Sequence, residues 1–329
     1  MFKLSIVSFD EGGSVLEELL NHRLIDDYQA VSVAEYIKRR KENFSYLNEK
    51  FDYLKTYKTI IVLALSYPHE SVRYKGKGFG LVSRYSYGKD YHRVYASLFS
   101  ELVPRFSKAG INAIGYADIG PIDERYAGFL SGLGYLGKNQ FLIHPWYGTY
   151  HYLGILLIDQ SITKDSYPKD ACGDCEKCVI ACPTGALNEG FNKELCTSYV
   201  TQAKVALDER DLLPMKTMLF GCDICQKVCP KNLHRTVIER PEFLADEASQ
   251  LDLIELLSLS NKQIEKRYRD YAFSFRGGLI LKRNAIILLY NQNCHDQIDL
   301  CKRVYTEYQH VPWFKDTIGP LLKSWEEKQ

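Results

Sequence analysis

The stretch C-G-D-C-E-K-C-V-I-A-C-P, residues 172–183, places four cysteines in the pattern C-x2-C-x2-C-x3-C followed by a proline. Three thiolates spaced by two residues can bind three corners of a cubane cluster, and the fourth, beyond a longer gap, points towards a second cluster. The pattern predicts a ferredoxin-like segment with two [4Fe-4S] clusters. A pair of zinc sites is the alternative, but zinc requires neither the third closely spaced cysteine nor the proline.

A second cysteine run, Cys222, Cys225 and Cys229 before Pro230, supplies most of another ligand set. Two four-iron clusters need eight thiolates, and Cys196, which lies between the runs, is the candidate for the remaining one. The spacing implies crossed ligation, in which the last cysteine of each run binds the other cluster. The predicted ligand sets are Cys172, Cys175, Cys178 and Cys229 for one cluster and Cys182, Cys196, Cys222 and Cys225 for the other.

The size and charge of the chain limit the classes of protein to which it can belong. Its 329 residues exceed what one hydrophobic core usually serves, so we expect two or three domains. Lysine and arginine number 42 against 41 aspartate and glutamate residues, which gives a net charge of +1. This balance excludes a polycation that binds nucleic acid indiscriminately, and any RNA contact must be a local patch.

The sequence also indicates a reducing, cytoplasmic setting without a membrane anchor. Met1–Gly12 lacks a secretory signal, and the longest apolar runs, Thr59–Ser66 and Tyr152–Ile158, are far shorter than the roughly 20 residues of a spanning helix. A disulfide framework is therefore not expected. Cys294 and Cys301, which stand apart from the cysteine runs, are predicted to be buried free thiols.

Ahead of the cysteines, helical and strand patterns alternate, which predicts an α/β (α+β) domain over residues 1–165. The predicted helices are Val15–Leu24, Val31–Arg40, Asp90–Ala109 and Pro121–Leu133. The predicted strands are Thr59–Leu65, Ile111–Ala117 and Tyr152–Ile158. Their order in a sheet cannot be read from these patterns.

The cysteine segment is predicted to form a ferredoxin-like domain over residues 166–240, in which metal–sulfur bonds replace much of the hydrophobic core. From residue 241 to residue 329 the spacing of apolar residues predicts a small helical region, with helices at Leu251–Leu259, Gly278–Tyr290 and Ile298–Tyr308. Three basic residues near the start of one helix are candidates for phosphate contacts, or else form an ordinary solvated helix start: Arg276, Lys282 and Arg283.

Two stretches of the first domain combine polar residues with glycines. One is Ser83–His92, and the other runs from Asp118 through Arg125 to Asn139. Asp118 follows directly on a predicted strand, where open α/β sheets bind ligands, although an ordinary turn with a helix cap would show the same pattern. No dinucleotide or P-loop motif is present, so pattern alone predicts either a redox enzyme or an electron carrier.

These stretches resemble the epoxyqueuosine reductases, which carry out the last step of queuosine formation in bacterial tRNA. The resemblance covers S-R-Y-S-Y-G-K-D-Y-H at Ser83–His92, the D-I-G-P…R…G-L-G-Y-L-G-K-N pattern of Asp118–Asn139, both cysteine runs in their order, and C-T-S-Y at Cys196–Tyr199. Together these motifs span roughly residues 60–290. Generic ferredoxins share only the cysteine runs.

The resemblance implies a cobalamin-binding first domain, electrons passing from the clusters to cobalt, and a C-terminal HEAT-like helical region that contacts tRNA. Asp118 matches the acid that protonates the departing epoxide oxygen, and Arg125 matches a position that orients this acid or the cofactor. If Asp118 is a donor near neutral pH, its pKa must be raised, as burial against the corrin would do. Further implied cofactor contacts are Ser83, Arg84, Tyr85, Lys138, Asn139 and Ser198.

The implied partners are the anticodon stem-loop of tRNA carrying epoxyqueuosine and a low-potential electron donor, with the enzyme a monomer. The family usually continues C-x-S-Y with L-T-I-E, whereas Val200-Thr201-Gln202 follows Tyr199 here, so an acid is lost. Two alternatives stay open at the level of sequence. One is a related cobalamin and iron–sulfur reductase acting on another substrate, as in the reductive dehalogenases, and the other is a non-catalytic ferredoxin-like carrier.

Overall fold

The computed structural model describes residues 18–43, 53–68, 72–162, 172–233, 235–236 and 238–328. The strands are β1 (Asp27–Ser32), β2 (Thr59–Ser66), β3 (Phe79–Val82), β4 (Ala113–Tyr116), β5 (Tyr135–Leu136), β6 (Leu142–Ile143), β7 (His151–Ile158), β8 (Met218–Phe220) and β9 (Gln250–Asp252). The helices are α1 (Val33–Asn43), α2 (Tyr91–Lys108), α3 (Glu124–Ser131), α4 (Lys177–Ala181), α5 (Thr197–Val200), α6 (Glu209–Leu212), α7 (Ile224–Lys227), α8 (Leu253–Ser258), α9 (Asn261–Tyr268), α10 (Gly278–Asn291), α11 (Ile298–Tyr308) and α12 (Pro312–Glu327). Short 3-10 turns occupy Tyr53–Thr56, Arg84–Ser86, Lys193–Leu195, Pro230–Asn232, Pro241–Phe243, Glu247–Ser249, Ala272–Ser274 and His295–Gln297.

The chain divides into two compact units, each assembled from separate segments. The first comprises Met1–Tyr67, Tyr91–Cys175 and Pro230–Ile238, and the second comprises Pro68–Asp90, Glu176–Cys229 and Glu239–Gln329. The predicted division at residues 165 and 240 stays a prediction. The second unit contains segments from all three predicted ranges.

The first unit is built on a four-stranded antiparallel sheet in the order β1-β2-β7-β4. The central strands β2 and β7 pair over their whole length and are almost entirely buried, which explains their continuous apolar sequences. Alternate β2 residues share a core with α1 and α3 on one face of the sheet. On the other face the Tyr95 hydroxyl of α2 donates to the carbonyl oxygens of Leu63 and Tyr152, both at 3.3 Å.

The predicted alternation of helices and strands in this unit is confirmed, with shifted ends. Helix α1 begins at Val33, since Val31 and Ser32 belong to β1, a strand that was not predicted from the sequence. Of the predicted helix Val15–Leu24, residues 15–17 lie outside the described residues and residues 18–20 are helical. No helix in the described ranges combines the length and the apolarity that crossing a bilayer requires.

The second unit combines a three-stranded sheet with the C-terminal helices. Strand β3 lies in the middle, parallel to β8 and antiparallel to β9. At Gly80 on β3 a Cβ atom would lie 2.9 Å from side-chain atoms of both Leu219 and Leu253, so the strand can pack this closely only with glycine. The start of the predicted helix at Leu251 is wrong, because Leu251 belongs to β9 and Asp252 caps α8.

Helix α10 runs through the core of this unit and is buried from Ile280 to Leu289. Its neighbours in the core include α8, α12 and β8. A helix that is apolar on nearly every side needs neighbours on every side, which α8, α9, α12 and the small sheet supply. Cys294 and Cys301 are buried free thiols, at 4% and 0% exposure, as predicted.

Two cations of α10, Lys282 and Arg283, are buried with the helix. Lys282 Nζ donates to the Leu257 carbonyl at 2.9 Å. Arg283 donates to the carbonyl oxygens of Ala203 at 2.6 Å and Val200 at 2.8 Å. Burial lowers the pKa of Arg283 to about 9, which still leaves the guanidinium charged at neutral pH.

Replacing Arg283 with methionine is expected to destabilise the protein strongly, because two buried carbonyl groups lose a charged donor. The free energy of unfolding should fall by about 3 kcal/mol, measured by urea unfolding followed by circular dichroism. The matched control is Arg276→Met, at an exposed arginine two residues before α10, which should change it by less than about 0.5 kcal/mol. Equal, small effects of both substitutions would contradict this account of Arg283.

Candidate active site and cluster segment

The loop at residues 118–122, here called the acid loop, joins β4 to α3 in the first unit. Asp118 adopts a left-handed conformation with φ of 61°, which is uncommon for a residue with a side chain. Its backbone N–H donates to Glu124 Oε1 at 2.5 Å, and the next N–H, of Ile119, donates to the Ala117 carbonyl at 2.7 Å. Ile119 is 83% exposed, so an apolar side chain stands at the tip of the loop beside the acid.

The carboxylate of Asp118 lies beside His92, with 3.3 Å between Oδ2 and Nε2. The Asp118 side chain is 62% exposed. The hydrogen bond from His92 lowers the pKa of Asp118 and outweighs the opposing effect of burial. The expectation of a raised pKa is therefore not met by the polypeptide alone, since the carboxylate is open to water and paired with a histidine.

The neighbouring carboxyl group of Glu124, the first residue of α3, behaves in the opposite way. Burial, together with the nearby Asp118, raises the pKa of Glu124 to about 8. A carboxyl group that is largely neutral at pH 7 is therefore hydrogen-bonded to the acid loop. Glu124 was not among the site residues predicted from the sequence. Its position as an acidic residue in a first helical turn, six residues after Asp118, was the available signal.

Aromatic rings hold His92 at the start of α2. The His92 and Tyr91 rings stack with centroids 4.0 Å apart, and Tyr91 stacks on Tyr152 of β7 at 4.5 Å with an interplanar angle of 8°. Because Tyr152 belongs to a central strand, the sheet fixes the position of the histidine that contacts Asp118.

Arg125 connects α3 to the turn between β5 and β6. Its Nη1 donates to the Gln140 carbonyl at 2.9 Å, which brings Arg125 next to the predicted contacts Lys138 and Asn139. Asn139 is 5% exposed, its Oδ1 accepts from the Phe141 N–H at 3.3 Å, and its Nδ2 has no hydrogen-bond partner among the described residues. A buried amide donor of this kind is available to a ligand.

The glycines between Gly132 and Gly137 have a structural explanation within the hairpin. A Cβ atom on Gly134 would lie 2.6 Å from the Ile143 carbonyl oxygen, and one on Gly137 would lie 2.6 Å from Ile143 Cδ1. Gly132 caps the end of α3 with φ of 83°. These glycines therefore allow β5 to pack closely against β6.

The Ser83–His92 motif is divided between the two units, because Ser83 to Asp90 belong to the second and Tyr91 and His92 to the first. Ser83 Oγ donates to Asp223 Oδ1, and the Arg84 N–H donates to Asp223 Oδ2 at 3.1 Å. Asp223 is 2% exposed and lies between Cys222 and Cys225. Ser83 and Arg84 therefore hold the loop that carries two predicted cluster ligands.

The remaining predicted cofactor contacts of the second unit are Tyr85 and Ser198. The Tyr85 ring lies 6.4 Å from that of Phe220 on β8. Ser198 lies in α5, two residues after Cys196, and its carbonyl accepts from Gln202 Nε2 at 2.9 Å. Thr197, between them in sequence, is 5% exposed, and its hydroxyl has no hydrogen-bond partner in the described ranges.

The second unit contains the four cysteines predicted to bind one cluster, and all four are partly buried. Burial is the main reason for the raised pKa of Cys222, about 11, with further contributions from Asp223 and from the nearby thiols of Cys196 and Cys182. Burial and these same thiols also raise the pKa of Cys225. Partly buried thiols that influence one another are costly to ionise alone, whereas coordination to a cationic cluster deprotonates them. The donor set therefore fits an iron–sulfur cluster.

The other predicted ligand set is divided between the two units. Cys172 and Cys175 belong to the first unit, and the Cys175 N–H donates to the Cys172 carbonyl at 3.0 Å. Cys178 and Cys229 belong to the second unit. Their joint ligation of one cluster stays a prediction.

The three predicted tRNA contacts lie in different environments. Arg276 is exposed, and its guanidinium lies over the Phe275 ring at 4.5 Å from the centroid, with Phe275 itself 61% exposed. Lys282 and Arg283 are 1% and 0% exposed and bind backbone carbonyls. Their positions give no support to the predicted role in tRNA binding. The sequence pattern did not show that α10 is buried on all sides.

Two family models match the chain. Residues 51–118 match the model described as epoxyqueuosine reductase QueG, DUF1730, and residues 171–232 match a 4Fe-4S double cluster binding domain. The second match contains all eight predicted ligands and favours iron–sulfur clusters over zinc.

Individual proteins give the same result over more of the chain. The epoxyqueuosine reductase of Staphylococcus aureus (strain NCTC 8325 / PS 47) is 34% identical over 264 residues, which cover 77% of this chain and 69% of that protein. The structure of epoxyqueuosine reductase from Streptococcus thermophilus superposes with a TM-score of 0.78 at 27% identity, covering 96% of this chain and 90% of the other. An epoxyqueuosine reductase solved with an epoxyqueuosine-modified tRNA-Tyr stem loop shares the fold, with a TM-score of 0.77 at 24% identity over 94% of this chain and 98% of the other. With the acid loop, the cysteine segment and these similarities together, the chain belongs to the epoxyqueuosine reductase family.

Proposed function

We propose that this protein reduces epoxyqueuosine to queuosine in tRNA. The observation that carries the proposal is a cysteine segment with eight potential cluster ligands in the same chain as an exposed Asp118–His92 pair, in a sequence that belongs to this family. Conversion of an epoxide to an alkene consumes two electrons and two protons and releases water. The cysteine segment accounts for electron delivery and the acid loop accounts for protonation.

The cofactors in this proposal are two [4Fe-4S] clusters and cobalamin. When bound, the clusters supply single electrons at low potential, and cobalamin supplies a strongly reducing cobalt centre for opening the epoxide. The buried Asn139 Nδ2, which has no hydrogen-bond partner among the described residues, fits a polar cofactor bound at the first unit. Ser83, Arg84, Tyr85, Lys138 and Ser198 are retained as proposed contacts, with Ser83 and Arg84 acting through the Asp223 loop.

Asp118 is the proposed proton donor to the epoxide oxygen. Its carboxyl group is exposed to an incoming substrate, and His92 can return a proton to Oδ2 after each transfer. Covering the loop with cofactor and substrate would remove water and raise the pKa of Asp118 from its lowered value. Arg125, through its bond to Gln140, would hold α3 against the hairpin and keep the acid loop in position.

The proposed substrate is the anticodon stem-loop of tRNA, bound through the exposed pair Phe275 and Arg276, which precede α10 in the proposed HEAT-like C-terminal region. An exposed aromatic ring beside a guanidinium can stack on an unpaired base while the charge contacts a phosphate. A low-potential electron donor, a monomeric state and a cytoplasmic location complete the proposal. Family membership favours this function over the dehalogenase-like reductase and the non-catalytic carrier.

Substitution Asp118→Asn should lower the turnover of epoxyqueuosine-containing tRNA by about 10²- to 10⁴-fold, because the amide cannot donate the required proton. Iron and corrinoid contents should remain unchanged. The assay is anaerobic conversion with dithionite or a viologen as reductant, analysed by nucleoside mass spectrometry. Asp208→Asn, at an exposed aspartate of the second unit, is the control. Wild-type turnover in Asp118→Asn would remove the assignment of the acid.

Substitution Cys222→Ala should reduce the iron content from about eight to about four atoms per chain, because one four-iron cluster loses a ligand. The measurement is iron analysis of anaerobically purified protein together with electron paramagnetic resonance of the reduced state. Cys294→Ala, at a buried thiol outside the cysteine runs, should leave the iron content unchanged. Zinc in place of iron in the wild-type protein would contradict the cluster assignment.

Substitution Arg276→Glu should weaken binding of the anticodon stem-loop and reduce the slope of log Kd against log salt concentration by about one, because one phosphate contact is lost. Fluorescence anisotropy with labelled stem-loop RNA at several salt concentrations measures both quantities. Arg210→Glu, at an exposed arginine in α6, serves as the control. If the two variants bind RNA equally well, Arg276 is not a tRNA contact.

A further inference from the structure

The acid loop is hydrogen-bonded to the side chain of Glu124, the first residue of α3. The Asp118 N–H has its hydrogen-bond acceptor in Glu124 Oε1, at 2.5 Å. The donor, Asp118, has a left-handed backbone with φ of 61°, which is unfavourable for aspartate. Contacts with the surrounding structure must stabilise this conformation. The position of the Asp118 carboxyl group therefore depends on Glu124.

Glu124 itself is firmly placed at the start of α3. The preceding residue, Asp123, caps this helix by accepting the Tyr126 N–H at 3.1 Å. Arg40 Nη2 of α1 binds the other Asp123 oxygen at 3.0 Å, and the Tyr36 hydroxyl accepts the Asp123 N–H at 2.8 Å. One end of the Asp118–Glu124 bond is thus rigid, and the other belongs to an exposed loop.

The charged groups around Glu124 make its bond to the loop sensitive to its ionisation. Asp118 on the acid loop and Asp123 at the cap oppose a negative charge on Glu124, whereas His92 of α2 and the Asp118 N–H favour it. Burial adds the largest opposing effect. A neutral Glu124 accepts the N–H without placing a second carboxylate beside Asp118, and an ionised one gains from opening of the loop into water.

We propose that Glu124 is a positioning residue: its carboxyl group holds the acid loop closed by accepting the Asp118 N–H, and thereby keeps the Asp118 carboxyl group beside His92. The catalytic consequence rests on the proposed function, whereas the hold on the loop does not. Glu124 does not donate the proton to the substrate. It sets the fraction of molecules in which Asp118 is in place to do so.

The direction of the pH dependence follows from linkage. The pKa of Glu124 is about 8 with the loop closed, and in the proposed open loop, with the carboxyl group in water, it returns towards its ordinary 4.5. Closure is therefore most favoured below pH 4.5 and is lost progressively as the pH rises to about 8. The protection of the Asp118 N–H from exchange should fall over this interval, by at most about tenfold per pH unit.

Hydrogen exchange of peptides covering residues 117–125, corrected for intrinsic exchange rates, tests the hold on the loop. Glu124→Leu should lower the protection of the Asp118 N–H by about tenfold, since it removes the acceptor. Glu124→Gln keeps an acceptor that does not ionise, and should retain protection without the pH dependence of the wild type. Glu101→Leu, at a half-exposed glutamate of α2, is the matched control and should behave as the wild type.

Two results would overturn the proposal. One is wild-type protection in Glu124→Leu, and the other is a pH profile of protection that Glu124→Gln leaves unchanged. Iron and corrinoid contents show whether each variant is folded. If Glu124→Leu fails to fold, the pH profiles of the wild type and Glu124→Gln decide alone.

Turnover separates this proposal from the proposed function. Glu124→Leu should lower kcat by about tenfold with KM nearly unchanged, and Glu124→Gln should restore kcat. A wild-type protein that does not convert epoxyqueuosine, but shows the expected exchange pattern, would refute the function and leave the role of Glu124 standing. Normal kcat in Glu124→Leu would refute the positioning role and leave the function standing.

Discussion

The buried carboxylate of Asp223 is the constraint around which the second unit is arranged. It lies between two predicted cluster ligands, Cys222 and Cys225, and receives hydrogen bonds from Ser83 Oγ and the Arg84 N–H. A buried carboxylate must be satisfied, and Ser83 satisfies it from 140 residues away in sequence. A buried guanidinium likewise needs hydrogen-bond partners, and Arg283 finds them in carbonyl groups of the segment after Cys196. Polar bonds between distant segments thus hold the loops that carry these cysteines.

The first unit differs in that its central carboxyl group, that of Asp118, is exposed. Strand β4 ends just before the acid loop. Strand β7 carries Tyr152, whose ring stacks on Tyr91 beside His92. Asp118 stays exposed, and Glu124, which is partly buried, is the carboxyl group with the raised pKa. Two carboxyl groups six residues apart therefore have opposite pKa shifts, because a histidine hydrogen bond dominates at Asp118 and partial burial dominates at Glu124.

Much of the first unit could be predicted from the sequence. The strands β2 and β7 and the helix α2 carry apolar patterns that only buried elements show, and the structure confirms them. Strand β1 was missed because its sequence, D-Y-Q-A-V-S, lacks a long apolar run at an edge of the sheet. The sequence shows the glycines before Asn139 but not what packs against them, and in the structure Gly134 and Gly137 pack against Ile143 of the hairpin.

The sequence by itself determined the cluster chemistry and the family, because thiol spacing and motif order are local properties of the chain. Only the tertiary structure decided which polar residues are available for function. It placed Lys282 and Arg283 in the core and Arg276 at the surface, although all three lie within eight residues. It also joined Glu124 to the Asp118 N–H and Ser83 to Asp223. Burial and hydrogen bonding between distant segments depend on how helices and strands pack, and no local pattern records that packing.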